Sequence, residues 1–159
     1  MSQLKLSKWL KAIIIGAGIC GAVVYFFFLP FYGRDIVVAY PEFSYYYWPW
    51  QIFLWITAVP CYAALICSWI IADEIGRDNS FCSRNARSLK WISLLAAGDS
   101  AFFFLGIIIF AVLGMSHPGV VILSIFIVFV GIAVTVTFAA LSHLVYKAAR
   151  IREENEWTI

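Results

Sequence analysis

Asp99 is the only carboxylate inside the long apolar stretches of this sequence, where it follows Gly98 and precedes Ser100. A charged side chain at the centre of a membrane-spanning helix costs about 2.5–3.5 kcal/mol on insertion scales, so this group needs a hydrogen-bond partner or a proton. It lies roughly 12 Å inside the helix end at 1.5 Å per residue, too deep to reach the interface easily. We therefore expect an intramembrane polar site formed by Asp99, Ser100, Tyr62, Thr135 and Thr137.

Two roles are open for Asp99. In the structural role, a protonated or hydrogen-bonded Asp99 ties helices together through a Thr or Tyr hydroxyl. In the functional role, it binds an ion, a proton or a ligand, as ionisable groups inside membranes often do. The sequence favours the structural role without excluding the other.

A second candidate site is a cluster of aromatic residues. Six of the eight residues from Phe43 to Trp50 are Phe, Tyr or Trp. Such rings concentrate at membrane interfaces because they are apolar with polar tips, so an anchoring belt is the default interpretation. The alternative is an outer surface that binds a lipid or hydrophobic ligand, made by Tyr45, Tyr46, Tyr47, Trp48 and Trp50.

The elements that must position these groups are membrane helices. The chain has 159 residues, of which 64% are hydrophobic and 13% charged, whereas soluble domains carry roughly 25% charged residues. Crossing a hydrocarbon core ~30 Å thick takes about 20 residues of helix. Four apolar stretches reach that length, at residues 12–32, 50–71, 91–115 and 120–146.

The positions of Lys and Arg predict the topology. Ten of the eleven cations precede the first stretch, lie between the second and third, or follow the fourth, and only Arg34 lies on the other side. Cytoplasmic loops carry this excess, so both termini are expected in the cytoplasm. The predicted fold is all-α: an integral membrane four-helix bundle forming a single domain over 1–159, with an outer loop 33–49, a cytoplasmic loop 72–90 and a cytoplasmic tail 147–159.

Small residues predict where the helices pack. Ser124, Gly131, Thr135 and Ser142 fall on one face of the fourth helix, and Ala17 and Gly21 are one turn apart on the first. Such stripes allow helices to approach closely in a membrane. We interpret them as packing seams rather than as a pore lining.

The sequence shows no catalytic apparatus. It contains no nucleotide-binding glycine loop, no His-Glu-x-x-His motif and no plausible catalytic triad, and its four cysteines form no Cys-x-x-Cys pair. We therefore expect no enzyme activity, no catalytic residues, no metal site, no disulfide and no cofactor. A net charge of +2 gives no reason to expect direct binding to nucleic acid.

The loop at 72–90 is the largest element expected in the cytoplasm. Asp78, Asn79 and Ser80 are turn formers, and Ser83 is placed to cap a helix that runs without Gly or Pro into the third stretch. Arg84 and Arg87 would share one face of that helix.

From Asp78 to Ser93 the loop reads Asp-Asn-Ser-Phe-Cys-Ser-Arg-Asn-Ala-Arg-Ser-Leu-Lys-Trp-Ile-Ser. This segment resembles the signature of a bacterial membrane family, domain of unknown function 2975, in which a Phe, an Asn and basic residues lead into the third of four helices. The resemblance implies a four-span protein of the bacterial inner membrane. It also implies a cytoplasmic helix-turn-helix regulator as a partner.

The leading hypothesis is a non-enzymatic regulatory or scaffold protein that engages a cytoplasmic partner through loop 72–90 and the tail. The expected partner-binding residues are Phe81, Arg84, Asn85, Arg87 and Lys90. The main alternative is a small ion- or proton-coupled transporter or channel centred on Asp99, which would need a homo-oligomer for its pore. A third is an envelope or immunity protein that binds lipid or peptide through the outer aromatic residues.

Overall fold

Helices account for nearly all of the chain. The computed structural model describes the backbone of residues 2–156 and the side chains of residues 2–154, so the last three residues of the predicted tail, 157–159, lie outside the described part. No strand occurs within residues 2–156. The main helices are α1 (Gln3–Val23), α2 (Leu29–Ala39), α3 (Ser44–Gly76), α4 (Ser83–Val112) and α5 (Pro118–Glu156).

The first predicted span consists of two helices joined end to end. A single π-helical turn, Val24–Phe28, connects α1 to α2, so that Gln3–Ala39 forms one long helical element. Pro30 lies just beyond this turn and has no N–H to donate to the carbonyl of Phe26. A wider turn accommodates that lost hydrogen bond, which is a usual cause of a local irregularity in a helix.

The helices expose apolar side chains on their outer surfaces. Phe27 is 72% exposed, Val38 81% and Val112 81%. Four helical elements, Gln3–Ala39, Pro41–Gly76, Ser83–Val112 and Pro118–Glu154, are long and apolar enough to cross a membrane. A protein in water would not tolerate so continuous an apolar surface, whereas hydrocarbon solvates it well.

Helices that follow one another in the sequence pack against each other. α1 contacts α3, α3 contacts α4, and α4 makes its most extensive contacts with α5. Within residues 2–156, α1 approaches neither α4 nor α5, and α3 does not approach α5 closely. The backbone arrangement is therefore an open series of antiparallel neighbours, with α3 and α4 at its centre.

Two small cores lie towards opposite ends of the packed helices. One contains Phe53 of α3 with Phe103 and Ile107 of α4. The other contains Ala86 and Leu89 of α4 with Val145 of α5. The first is rich in ring contacts, because the Phe53 ring lies 5.5 Å from that of Phe103, centroid to centroid.

Side-chain donors on one helix bond to backbone carbonyls of the next. The Tyr62 hydroxyl donates to the carbonyl of Gly18 at 2.8 Å, and Ser93 donates to that of Thr135 at 2.8 Å. A carbonyl has two lone pairs, so it accepts such a bond without losing its helical partner. Among residues 2–154, such contacts between neighbouring helical elements are Ser7 to Ala72, Trp55 to Tyr25, Tyr62 to Gly18, Tyr47 to Pro30, Ser93 to Thr135 and Ser142 to Ala86.

The small-residue stripes lie where the sequence predicts packing. A Cβ at Gly131 of α5 would overlap the hydroxyl of Ser100 on α4, and a Cβ at Gly21 would lie 3.3 Å from the Tyr62 hydroxyl. Close approach of this kind allows the carbonyl-directed hydrogen bonds to form.

Segment 33–49, predicted as an outer loop, is more helical than expected. α2 continues to Ala39, a short 3-10 turn covers Pro41–Phe43, and α3 already begins at Ser44. The chain reverses at Tyr40, whose φ of -137° and ψ of 82° are not helical. Since Tyr40 precedes Pro41, the proline ring disfavours the α conformation at Tyr40. Gly33, where the predicted loop begins, lies inside α2 against the Tyr47 ring.

The two other connections are short turns. Residues 77–82 link α3 to α4, with Asp78 in the left-handed region at φ 58°. The helix cap there is Cys82 rather than the predicted Ser83: its Sγ accepts a hydrogen bond from the Asn85 N–H at 3.4 Å. Gly114, at φ 69°, makes the turn between α4 and α5, a left-handed conformation that glycine adopts without a steric penalty.

Gly106→Ala is expected to lower the free energy of unfolding by about 1–3 kcal/mol, because the new methyl group would overlap the buried Phe53 ring. Gly98→Ala is the matched control in the same helix, since nothing lies within 4 Å of its added Cβ, and its stability should be unchanged or slightly raised. Reversible unfolding in mixed micelles, followed by circular dichroism, measures both. Equal losses in the two variants would contradict the contact with Phe53.

Candidate functional site

Asp99 belongs to a chain of polar groups that joins three helices. Its Oδ2 lies 3.9 Å from the Sγ of Cys61 on α3, in position to accept the thiol hydrogen. The Cys61 sulfur lies 4.0 Å from the Tyr25 hydroxyl, which lies 3.3 Å from the Thr57 hydroxyl. The chain therefore runs from α4 across α3 to the π-helical turn of the first span.

The second oxygen of Asp99 has no partner. Its Oδ1 is buried, and no hydrogen-bond donor reaches it among the described side chains. Asp99 as a residue is only partly buried. An unpaired carboxylate oxygen in hydrocarbon is unfavourable, so this atom requires a proton, an ion or a further donor.

Local backbone irregularities position the partners of Asp99. Tyr25 lies in the π-helical turn, and its carbonyl accepts a hydrogen bond from the Trp55 indole at 3.0 Å. Cys61 directly follows Pro60, which interrupts the hydrogen bonding inside α3. Thr57 and Cys61 are four residues apart and so share one face of α3.

The other residues predicted to join Asp99 bond elsewhere. Tyr62 donates to Gly18, as described above, and Ser100 donates to the carbonyl of Ala96 at 2.7 Å. Thr135 donates to Gly131 at 2.9 Å and Thr137 to Ala133 at 2.8 Å, each within α5. The structure thus brings Cys61, Tyr25 and Thr57 towards Asp99, and none of these three was predicted.

A second polar network fixes the short turn between α3 and α4. The carboxylate of Glu74, a residue only 6% exposed, accepts hydrogen bonds from Arg84 at 2.8 Å and from the Asn79 side chain at 3.2 Å. Asn85, 1% exposed, donates to the carbonyls of Ser80 at 2.9 Å and Asn79 at 3.5 Å. The turn therefore has one defined shape set by buried polar groups.

The end of α3 is also tied to the start of α1. Lys11 forms an ion pair with Asp73 and lies 5.1 Å above the Trp69 ring. Ser7 donates to the carbonyl of Ala72 at 2.6 Å. We call the side of the protein that carries these groups and the turn at residues 77–82 the basic face, because ten of the eleven cations lie on it.

The five residues predicted to bind a partner have different environments. Arg84 and Asn85 belong to the network under the turn. Phe81 is 56% exposed on the turn itself. Arg87 and Lys90 are exposed and line a cleft between α4 and α5.

The predicted outer aromatic residues do not form one surface. Tyr45 is 89% exposed and Trp48 60%, whereas Tyr46 and Tyr47 are half-buried. Trp50 points into the protein, where its indole donates to the carbonyl of Met115 at 2.9 Å and its ring lies 4.6 Å from that of Phe110. Trp50 therefore fastens α3 to the turn between α4 and α5.

Potential metal ligands are dispersed. Cys20, Cys61, Cys67 and Cys82 are free thiols. Across the residues that the structure describes, no three His, Cys, Asp or Glu side chains are grouped so that they could hold a metal ion.

Four long apolar helices with short connections define a multi-pass membrane protein. The chain belongs to the family described as "Protein of unknown function (DUF2975)", which matches residues 33–159. It is 26% identical over 153 residues to the "Uncharacterized membrane protein YoaS" of Bacillus subtilis (strain 168), covering 95% of this chain and 96% of that protein. No solved structure matches it. The family resemblance seen at Asp78–Ser93 is therefore confirmed.

Asn85→Ala is expected to loosen the turn at residues 77–82, because Asn85 fixes it through two backbone carbonyls. Loss of these buried hydrogen bonds should speed amide hydrogen exchange in the turn on the order of tenfold. Mass spectrometry of exchange in micelles measures this. Arg87→Ala, an exposed change in the same helix, is the control, and an unchanged exchange rate in Asn85→Ala would show that the turn is held by other contacts.

Proposed function

We propose that this chain is a non-enzymatic protein of the bacterial cytoplasmic membrane, of regulatory or scaffold type, which docks a soluble cytoplasmic protein on the turn at residues 77–82. The observation that supports it best is the combination of a rigid turn with an exposed aromatic ring. Glu74 and Asn85 fix the backbone beneath, while Phe81 remains 56% exposed above. A preorganised apolar anchor surrounded by polar groups is a common centre of a protein interface.

The orientation in this proposal rests on charge. Cytoplasmic loops carry the excess of Lys and Arg, so the basic face is assigned to the cytoplasm, together with both termini. The similarity to a Bacillus subtilis membrane protein supports a bacterial membrane. The small helix-turn-helix regulator implied by the family resemblance is the first partner to test.

The proposal divides the loop residues by role. Asn85 builds the platform from beneath the turn, and Arg84, whose side chain is 63% exposed, braces it through the hydrogen bond to Glu74. Phe81 makes the contact with the partner. The start of α4 and the end of α5 extend the surface, since Ser83 donates to Glu153 at 3.2 Å and so holds the two helix ends together.

Replacing Phe81 with a photoreactive phenylalanine derivative is expected to give, on irradiation of intact cells, a covalent adduct with a specific soluble protein. The same replacement at Tyr45, an 89% exposed aromatic residue on the opposite face, is the matched control and should give no adduct with a cytoplasmic protein. Mass spectrometry identifies the captured chains. Only self-adducts from position 81, or the same soluble protein from both positions, would count against the platform.

A second candidate function is supported by the unpaired Oδ1 of Asp99. An ion- or proton-coupled transporter would use the row of polar groups from Asp99 through Cys61 to Tyr25, which connects three helices. Within one copy of the protein these helices form an open series, so a transport pathway would require a homo-oligomer to enclose it.

Asp99→Asn separates this candidate from a purely structural role, since it retains hydrogen bonding but removes the ionisable proton. If Asp99 carries protons, proton flux in proteoliposomes should fall at least tenfold in the variant while the helical content is unchanged. Thr137→Val is the control, because that exposed hydroxyl bonds only within its own helix. Absence of flux in the wild type, or equal flux in Asp99→Asn, would exclude the transporter.

A further inference from the structure

A cleft opens between α4 and α5 at the basic face. Its volume is about 600 Å³. On α4 it is bounded by Ser83, Arg87, Lys90 and Leu94, spaced three or four residues apart, so they form one stripe along the helix. On α5 the corresponding stripe is Ala139, Ser142, His143 and Tyr146.

Small residues create the cleft. Ala86 and Ser142 meet at the floor, where the Ser142 hydroxyl donates to the carbonyl of Ala86 at 2.7 Å. Short side chains at the helix contact leave room between the longer ones on either side. The cleft is therefore a permanent consequence of how α4 and α5 pack.

The end of the cleft nearer the basic face is positively charged. Arg87 and Lys90 line it together with His143. Among the described side chains, residues 2–154, no carboxylate lies within ion-pair distance of Arg87 or Lys90. Ser83, which also lines the cleft, donates a hydrogen bond to Glu153 at 3.2 Å.

The end of the cleft away from the basic face is apolar and lies within the membrane-spanning part of the helices. Leu94 and Ala139 line it, and both are exposed to the surroundings of the protein. From Ser83 to Leu94 the cleft follows α4 for roughly 16 Å at 1.5 Å per residue. A ligand that fits must therefore carry a negative charge at one end and hydrocarbon at the other.

We propose that this cleft binds an anionic phospholipid, with its phosphate between Arg87, Lys90 and His143 and an acyl chain along Leu94 and Ala139. Basic pockets between membrane helices at the charged side of a bilayer suit such headgroups, because the phosphate is attracted by the cations and the chain stays in hydrocarbon. A soluble anion would leave the apolar part unused. A zwitterionic lipid would gain less from two unpaired cations.

Native mass spectrometry of the purified full-length protein tests this with added phosphatidylglycerol and phosphatidylcholine. The wild type is expected to bind phosphatidylglycerol preferentially. The double variant Arg87→Gln/Lys90→Gln should bind it roughly 10- to 30-fold more weakly, since each cation near an anionic headgroup contributes about fivefold. Lys5→Gln/Lys8→Gln is the matched control, because these exposed lysines have the same three-residue spacing on α1 and lie outside the cleft.

A second variant tests the shape of the cleft without changing its charge. Ala139→Phe should fill the apolar part and also weaken binding of phosphatidylglycerol, with the helical content by circular dichroism unchanged. The proposal is overturned if both double variants lose the lipid equally, if the wild type binds the two lipids equally, or if Ala139→Phe binds as the wild type does. Full competition by glycerol phosphate would also overturn it, by showing a site for a soluble anion.

Discussion

A polar group inside a membrane span has no water to bond to and must find its partner within the protein, and in this chain the partner is most often a backbone carbonyl. Ser7, Tyr62, Ser93 and Ser142 each donate to a carbonyl on a neighbouring helix. These bonds require the helices to approach closely, which explains the position of Gly131 opposite Ser100. Apolar burial contributes less to helix association in lipid than in water, so these contacts and close packing specify which faces meet.

The same constraint explains why the polar chain at Asp99 is unusual. Cys61 is a weak hydrogen-bond donor, and one carboxylate oxygen has no partner among the described residues. Elsewhere inside the spans, hydroxyl groups bond at ordinary distances to carbonyls. The chain through Tyr25 depends on the π-helical turn, and a turn of this kind frequently marks a functional position.

Much of the fold could be predicted from the sequence. Helix length, apolar composition and the loop segment Asp78–Ser93 were sufficient for the four spans and the family. The partners of Asp99 could not be predicted, because equal depth in the membrane does not determine which way a side chain points around its helix. Tyr62 and Thr135 lie at suitable depths but face other acceptors, whereas Cys61 faces Asp99. Segment 33–49 was predicted as a loop, yet α2 continues to Ala39 and α3 begins at Ser44, because the proline ring of Pro41 disfavours the helical conformation only at the residue before it.

The open packing order has a consequence for biogenesis. Each helix contacts the helix that precedes it in the sequence. Each span after the first therefore meets its neighbour already in the bilayer when that span leaves the translocation machinery. Tyr25 and Cys61 precede α4 in the sequence and so are inserted before Asp99. Asp99, whose insertion into hydrocarbon costs the most free energy, therefore enters a membrane in which its hydrogen-bond donor Cys61 is already present. The last helix then covers α4, and no segment has to wait for a distant one to arrive. Because the helix contacts join neighbours in the sequence, none of them requires distant segments of the chain to be brought together first.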